Sequence, residues 1–546
     1  MKKTTGPKKG SRVTALPLTV EQFGQYLCPD GWDQPEFLTW PPDVFALVGS
    51  LLLKSGAYAR AVSGWKRNRP LEEWTKWLAT VGDSWRNNLS SPPREVRDWH
   101  HTLIKKETRT LPVPEIFNQK EVYNALLHLC AAADEACKGV GFGMSKREQF
   151  LLDASLRLFL TGERDGVSTL CDRIDHATVR VLPKLHTPQS GITIRSLTHN
   201  LALVPAGDVQ AKWAENPCAA RHHFNLLLAP WPLTSTPAHF RSVDLTQAEL
   251  QEMPSNFGFF EYNPPAGKGS SDPVKRINRL IQKAQTTVSQ IHGVILPEAA
   301  VSIHEHKRIQ AALMKKGIFL ICGVREPSRE RGKAGVNCLH VDIPVEIPGV
   351  GKYVGSHQQS KHHRWFLDKR QIVQYGLGSS LDVRNKWWEH ISVDNRVLYF
   401  VVLDDWLTIC PLICEDLARQ DPVSDIVRAV GPNLVLAILM DGPQISSRWP
   451  ARYATVLADD PGSSVLTLTS LGMCELSRPP GKPVSRAIGL WKDAKNSEAI
   501  SIEIPGDAEG VVLSLSREFE TEWAADGRDD GEATGYPILS GIHPIK

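Results

Sequence analysis

Between residues 20 and 160 the apolar positions recur every three or four residues, as in VFALVGSLLLKSGAYARAV and EVYNALLHLCAAADEAC, with proline clusters between the runs. That period is the helical one and predicts a mostly helical region. From about residue 220 the pattern changes. Short β-prone runs, among them FNLLLAPWPL, GVILPE, GIFLICGV, CLHVDIPV, VLYFVVLDDWLTICPLIC, NLVLAILM and VLTLTSLGM, alternate with helical stretches. In DPVKRINRLIQKAQTTVSQI, Val274, Ile277, Ile281, Ala284, Val288 and Ile291 step by three and four, so one face is apolar, and Asp272 is placed to cap it ahead of Pro273. Strands alternating with covering helices predict a layered α/β domain. The expected division is a basic tail over 1–12, a mostly helical, Trp-rich domain over 13–215, an α/β domain over 216–525 and an acidic exposed tail over 526–546. Within the α/β domain, the Pro-, Gly- and Ser-rich span 234–272 reads as an insertion or linker.

Composition narrows the class. A chain of 546 residues, 42% of them hydrophobic, supports two or three domains with cores of their own. A net charge of +3 from 63 basic and 60 acidic residues gives no general argument for nucleic acid or an anionic membrane. No apolar run approaches the roughly 18 to 20 residues of a bilayer span, and the basic start is followed by no signal-peptide core. Ten scattered cysteines without a CxxC pair suit a reducing cytoplasm and argue against a zinc ribbon. Seven of the sixteen tryptophans lie in the first hundred residues, interleaved with arginines in WKRNRPLEEW and WRNN. Such aromatics either stack on single-stranded nucleic acid or fill a small helical core, and core filling is the expectation. HEHKR at 304–308 and KHH at 361–363 lack zinc-ligand spacing, so their histidines are read as helix-surface residues and no metal is assigned. GVGFG at 139–143 reads as a helix stop, and the aspartate pairs of VVLDDW and VLADDP as coincidences.

Two β-prone runs of the α/β domain end in a residue able to take part in covalent hydrolysis. GVILPE ends in Glu298 and LTICPLIC in Cys414, and between them Lys361 stands in HQQSKHHRW. The carboxyl ends of strands are where α/β sheets expose reactive groups. Cys410, four residues before Cys414 in the same run, reads as core packing.

A glutamate, a lysine and a cysteine in that order resemble the nitrilase superfamily of carbon–nitrogen hydrolases, and the resemblance extends over roughly 222–525. Other pieces follow in family order: the helix from 273 into GVILPE, GIFLICGV followed by NCLHVDI, LICEDLARQDPV as the cysteine elbow, GPNLVLAILMDG, and RWPARYATVLADDPGSSVLTLTS. ICED is similar to the glutamine-hydrolysing domains attached to some NAD synthetases, but no SGGxDS synthetase signature is present.

The resemblance implies an αββα sandwich, preceded here by the helical domain. It implies Glu298 as general base, Cys414 as nucleophile, and Lys361 with the backbone N–H of Glu415 as oxyanion donors. A Cys thioester would form during cleavage of an amide, favoured over a nitrile, with no metal or organic cofactor. The family's second acid falls on Asp368, or on Gln371 without the charge, and Lys369 rivals Lys361. Asp441 and Gln444 of MDGPQ are expected on the substrate side. Many family members carry an aromatic residue where this chain has Glu415, whose charge would raise the thiol pKa.

Partners implied are a small amide or nitrile, a second copy of the chain in a homodimer or larger assembly, and a protein or nucleic acid met by the N-terminal domain. The rival expectation is a catalytically silent scaffold or sensor. Nitrilase-like domains also occur beside reverse transcriptases in bacterial antiviral systems, where such a role would need a polymerase partner.

Overall fold

The structure is a computed structural model, described here for residues 17–62, 69–140, 169–185, 191–216, 221–245, 253–269, 272–328, 330, 333–347, 351–394, 396–403, 406–531 and 534–546. The basic tail 1–12, Trp65 and most of GVGFG fall outside them. The chain divides into two compact units. One holds residues 1–136 with 171–175, and the other 137–170 with 176–546. Among the described residues no helix is long and apolar enough to cross a membrane.

The first unit is helical, as the period predicts. Its longer helices are Pro41–Ser55, Leu71–Asn87, Arg94–Ile104 and Lys120–Ala136. Pro41–Ser55 is buried along nearly its whole length and packs on Lys120–Ala136. The tryptophans fill this core. Trp32, Trp74 and Trp85 are fully buried, Trp85 donates its indole N–H to the Leu38 carbonyl at 2.8 Å, and Trp99 stacks on His128 with ring centroids 4.9 Å apart. The buried indole N–H groups of Trp85 and of Trp74, which lies 3.3 Å from His128 Nε2, thus find acceptors, which removes the main cost of burying those rings.

The second unit contains two seven-stranded sheets. The first runs Gly351–Ser360, Val336–Ile347, Phe319–Glu326, Gly293–Ser302, His223–Leu228, Gly510–Glu520 and Thr534–Ile545. The second runs Ile500–Glu503, Ala487–Lys492, Ser464–Thr469, Leu434–Leu439, Leu407–Ile413, Val397–Leu403 and Gln210–Asn216. The sheets face one another, Gly293–Ser302 lying against Leu434–Leu439 and Ser464–Thr469. Helices Pro273–Ala284 and Ile303–Met314 cover the outer face of the first sheet, packing Ile277, Leu280, Ile281, Ile309 and Leu313 onto Leu296, Leu320, Cys322 and Val324. Trp449–Asp459 packs on the second sheet. This is the expected αββα layering. Asp272 caps Pro273–Ala284, accepting from the Val274 N–H at 3.0 Å. The helix stops at Ala284, but Val288 and Ile291 still join its apolar layer.

Three sequence expectations are corrected. The α/β unit begins before 216, because Gln210–Asn216 is the edge strand of the second sheet, parallel to Val397–Leu403. The span 234–272 is no linker. Its strands Phe240–Ser242 and Phe257–Tyr262 join Lys386–Glu389 and Phe366–Leu367 in a four-stranded sheet over an aromatic cluster. The acidic segment from 526 is not an exposed tail. Asp526, Arg528 and Asp530 are buried, Asp526 pairs with Arg528 at 2.9 Å, and Thr534–Ile545 is a full strand against Gly510–Glu520. The carbonyls of Gly535 and Pro537 accept from the Asn433 amide and the Ser464 hydroxyl, tying this last strand across to the second sheet.

Ending the chain after residue 533 should therefore cost about 4 kcal/mol or more, the range reserved for loss of buried polar and core contacts. Thermal unfolding would read this as a lowered transition for the α/β unit with that of the helical unit unchanged.

Candidate active site

Five side chains reach one place because of strand direction. Gly293–Ser302 and Phe319–Glu326 are parallel, Val336–Ile347 runs antiparallel to them, and Gly351–Ser360 antiparallel again. The bulge of the first, the start of the third and the residue after the fourth thus lie together. These positions carry Glu298, Asn337 and Lys361, and the Lys361 N–H bonds the Asn337 carbonyl at 3.0 Å. Glu389 arrives from the small sheet, at the end of Lys386–Glu389, and Cys414 from the second sheet, directly after Leu407–Ile413.

The Lys361 ammonium is completely buried and lies 2.7 Å from Glu298 Oε1 and 2.7 Å from Glu389 Oε2. Asn337 Nδ2 donates to both acids, at 2.8 and 2.7 Å, and the Trp365 N–H donates to Glu389 Oε2 at 3.1 Å. Glu298 Oε2 is buried with no hydrogen-bond partner among the described residues. Burial pushes Glu298 above the ordinary carboxylate range, with Lys361 pulling against it and Glu389 adding to it. The two acids outweigh the desolvation of Lys361 and hold its pKa well above the ordinary lysine value.

Two backbones at the site are strained. Ala299 and Cys414 have φ of 50° and 49°, left-handed values that cost a non-glycine residue about 1–2 kcal/mol. At Glu298 the ladder slips between Leu296 and Val301, so the strand bulges and turns the glutamate inward. Arg325 fastens the bulge by donating to the Ala299 carbonyl at 2.8 Å. Gly323 makes room for it: a Cβ there would lie 2.2 Å from the Pro297 carbonyl oxygen and 2.6 Å from Glu298 Cα. Cys414 opens a 3-10 turn, Cys414–Leu417, so its side chain leaves the strand line at an elbow.

The Cys414 sulfur interacts with Glu298 and Lys361 and accepts from the Met440 N–H. Burial, then Glu298, push its thiol well above the ordinary range, while Lys361 and the Met440 N–H draw it down. The resting group is therefore a neutral thiol. Glu415 is occupied elsewhere, bonded by Arg419 at 2.8 Å. Asp416 is buried and accepts from the His362 N–H at 3.2 Å and His363 Nδ1 at 3.0 Å, locking the chain just after Lys361 to the cysteine elbow.

The structure brings Glu298, Lys361 and Cys414 together and leaves other expected residues aside. Asp368 is not the second acid. It caps the helix Lys369–Gln374 by accepting from the Gln371 N–H at 2.9 Å, and Gln371 completes that cap; the position is taken by Glu389. Lys369 is exposed, so Lys361 is the site's cation. Gln444 is buried and bonded to Thr467 and the Gly442 carbonyl, a structural placement rather than one facing substrate. Asp441 does lie beside the cysteine, one residue after Met440. It accepts from Tyr375 and from Arg448, each at 2.5 Å, while its Oδ2 has no partner among the described residues. Glu389, Asn337, Tyr375 and Arg448 are additions to the expected set. WWE, in which an acid directly follows apolar residues as in GVILPE, is the available signal for Glu389.

No family model and no curated protein matches the sequence. Among solved structures, an amidase from Nesterenkonia sp. matches at 12% identity over 55% of this chain and 93% of its own, with a TM-score of 0.31. A glutamine-dependent NAD+ synthetase from Acinetobacter baumannii matches at 10% identity over 58% of this chain and 48% of its own, TM-score 0.29. A CN-hydrolase superfamily protein from Xanthomonas campestris with an arsenic adduct in its active site matches at 11%, over 60% and 91%, TM-score 0.27. The chain spans about half the length of that synthetase. Scores this low leave the fold to be read from the strand ladders themselves.

Replacing Lys361 by Met strands two carboxylates in the interior and should cost about 3–5 kcal/mol. Adding Glu298→Gln and Glu389→Gln should recover most of that loss, measured by denaturant unfolding. No recovery would mean that the lysine acts by packing rather than by charge.

Proposed function

We propose that this chain is a thiol hydrolase of carbon–nitrogen bonds acting on amides. The observation that carries the reading is the buried Lys361 ammonium, 2.7 Å from Glu298 and from Glu389, beside a cysteine held at a left-handed elbow. A neutral thiol attacks a carbonyl poorly until a base takes its proton. Glu298 fits that role, because a carboxylate raised in pKa is a stronger base than an ordinary one. As sulfur bonds to the amide carbon, the thiol proton passes to Glu298 and the carbonyl oxygen becomes an oxyanion. An ammonium has three donors, and Lys361 spends two on carboxylates, leaving the third for that oxygen. The Glu415 N–H is the second donor proposed, since the first amides of a helical turn lack intrahelical acceptors. Protonated Glu298 then gives its proton to the departing nitrogen, leaving a thioester. Water, deprotonated by Glu298, attacks the thioester, and the acid leaves as the thiol is restored.

Amides are favoured over nitriles by Asp441 Oδ2, a buried carboxylate oxygen with no partner among the described residues. It can accept an N–H, which an amide brings and a nitrile lacks.

A panel of primary amides and nitriles, read by ammonia release, tests the proposal. Cys414→Ala should abolish turnover while remaining folded, and Glu298→Gln should lower kcat by roughly 10²- to 10⁴-fold, the usual contribution of general acid–base catalysis. Glu298 must be ionised to act, so kcat/KM should fall as pH drops through an apparent pKa above the ordinary value of about 4.3 for glutamate. Iodoacetamide should label Cys414 faster than Cys410, which is fully buried and whose thiol burial pushes far up. A panel without ammonia release, together with equal labelling of the two cysteines, would end the proposal.

A further inference from the structure

A second cluster of polar groups lies away from the cysteine, on the helix-covered face of the first sheet. His306 sits one turn into the helix Ile303–Met314, with Gln310 one turn further along. His340 and Asp342 are alternate residues of the strand Val336–Ile347, and so share a face with Cys338, which packs into the outer core layer under that helix. Helix and strand thus each contribute to one buried place. Asp342 is completely buried, His306 nearly so, and His340 retains only 8% exposure.

The arrangement holds more binding capacity than it uses. One nitrogen from each histidine and one oxygen of Asp342 all lie within 4.8 Å of one another. His306 Nε2 and Asp342 Oδ2 are 2.7 Å apart, and the two imidazole rings are 4.3 Å apart between centroids. Yet both ring nitrogens of His340 and Nδ1 of His306 have no hydrogen-bond partner among the described residues. Buried ring nitrogens ordinarily find partners, so three in one cluster call for a ligand. Asp342 accepts from His306 at Oδ2 and from Ser356 and Gln310 at Oδ1, so its carboxylate is held in place beside the two rings.

We propose that His306, His340 and Asp342 form a site for one divalent ion of the zinc class. Two neutral imidazoles and a carboxylate are the donor set such ions take, with water completing a four-coordinate shell. His306 Nε2 donates to Asp342 Oδ2 in this structure, so ligation through Nε2 moves that proton to Nδ1 and puts the ion in place of the hydrogen bond. The supporting groups are in place: Gln310 Nε2 and Ser356 Oγ each donate to Asp342 Oδ1 at 2.6 Å, fixing the carboxylate and leaving Oδ2 turned to the histidines. Gln310 and Ser356 also mark the solvent side, where their mutual contact is exposed. An ion here fastens the helix Ile303–Met314 to its sheet. That helix is capped by Ser302, four residues after Glu298, so the bound ion steadies the strand end that carries the base.

The test uses the full chain without an affinity tag. Co²⁺ titration followed by visible absorption, and Zn²⁺ titration by calorimetry, should each show one equivalent bound, with Zn²⁺ raising Tm by mass action. His340→Ala and Asp342→Asn should each weaken binding at least ~100-fold, the upper end of what losing a supporting group costs. His304→Ala, an exposed histidine on the same helix, should leave it unchanged. A folded wild-type chain that binds neither ion stoichiometrically overturns the site, whatever the variants do. Equal affinity in wild type and His340→Ala overturns it as well. If His340→Ala does not fold, His340→Gln carries the comparison.

Discussion

One ammonium group between two buried carboxylates organises the α/β unit. Lys361, Glu298 and Glu389 come from the first sheet and from the small sheet built by residues 240–242, 257–262, 366–367 and 386–389. Taking three charges out of water is unfavourable, and only close, well-oriented contacts repay it. Here every contact is near 2.7 Å, and Asn337 Nδ2 adds a donor to each acid. The strand ends cannot drift apart without leaving a naked charge in the interior. The cluster is therefore a register mark for the small sheet as much as a chemical site. The segment that covers the site and the acid that completes it arrive on the same short parallel ladder, Lys386–Glu389 against Phe257–Phe260.

The two left-handed residues show where that organisation is spent. Ala299 lies in the bulge of one sheet's strand and Cys414 directly follows a strand of the other, and each holds a conformation its side chain disfavours. Strain of this kind persists only where the surroundings over-determine it. At Ala299 the surroundings are Arg325, bonded to its carbonyl, and the missing side chain of Gly323. At Cys414 they are the Met440 N–H on the sulfur and Asp416 pinned by His362 and His363. Both devices aim a side chain at the same point, and neither is needed to hold the sheets together.

What could be read in the sequence follows from what each residue depends on. Glu298 and Cys414 stand at the ends of apolar runs, and local pattern alone predicts strand ends there; Cys414 does follow its strand directly, while Glu298 sits at a bulge within Gly293–Ser302. Lys361 needed the family order as well. Glu389 was missed because its position depends on a four-residue strand pairing across more than a hundred residues with a segment whose Pro and Gly content suggests a linker. Linear nearness pointed to Asp368 instead, and that residue is spent on a helix cap. The last strand was hidden in the same way. DGRDDGEATG looks solvated, but its Asp526 and Arg528 are buried as a pair, and YPILSGIHPI after it continues the sheet. The sequence pattern puts His306 on a helix surface, because a helical period does not say which neighbouring strand carries His340 and Asp342.

The electrostatics also limit how the proposed chemistry can run. With both acids ionised, the cluster around Lys361 holds one negative charge in excess, and a thiolate beside it would add a second inside a dry site. Burial and Glu298 raise the Cys414 thiol for that reason. Ionising the cysteine in advance is therefore the unfavourable route. If the proton moves to Glu298 as sulfur attacks, the total charge stays the same. It passes from the carboxylate to the new oxyanion, and both lie against the same ammonium. Lys361 then acts as a fixed counter-ion across the step, with no reorganisation required of it. On this argument the raised thiol pKa, which alone would count against catalysis, is what a site of this charge must show before substrate enters.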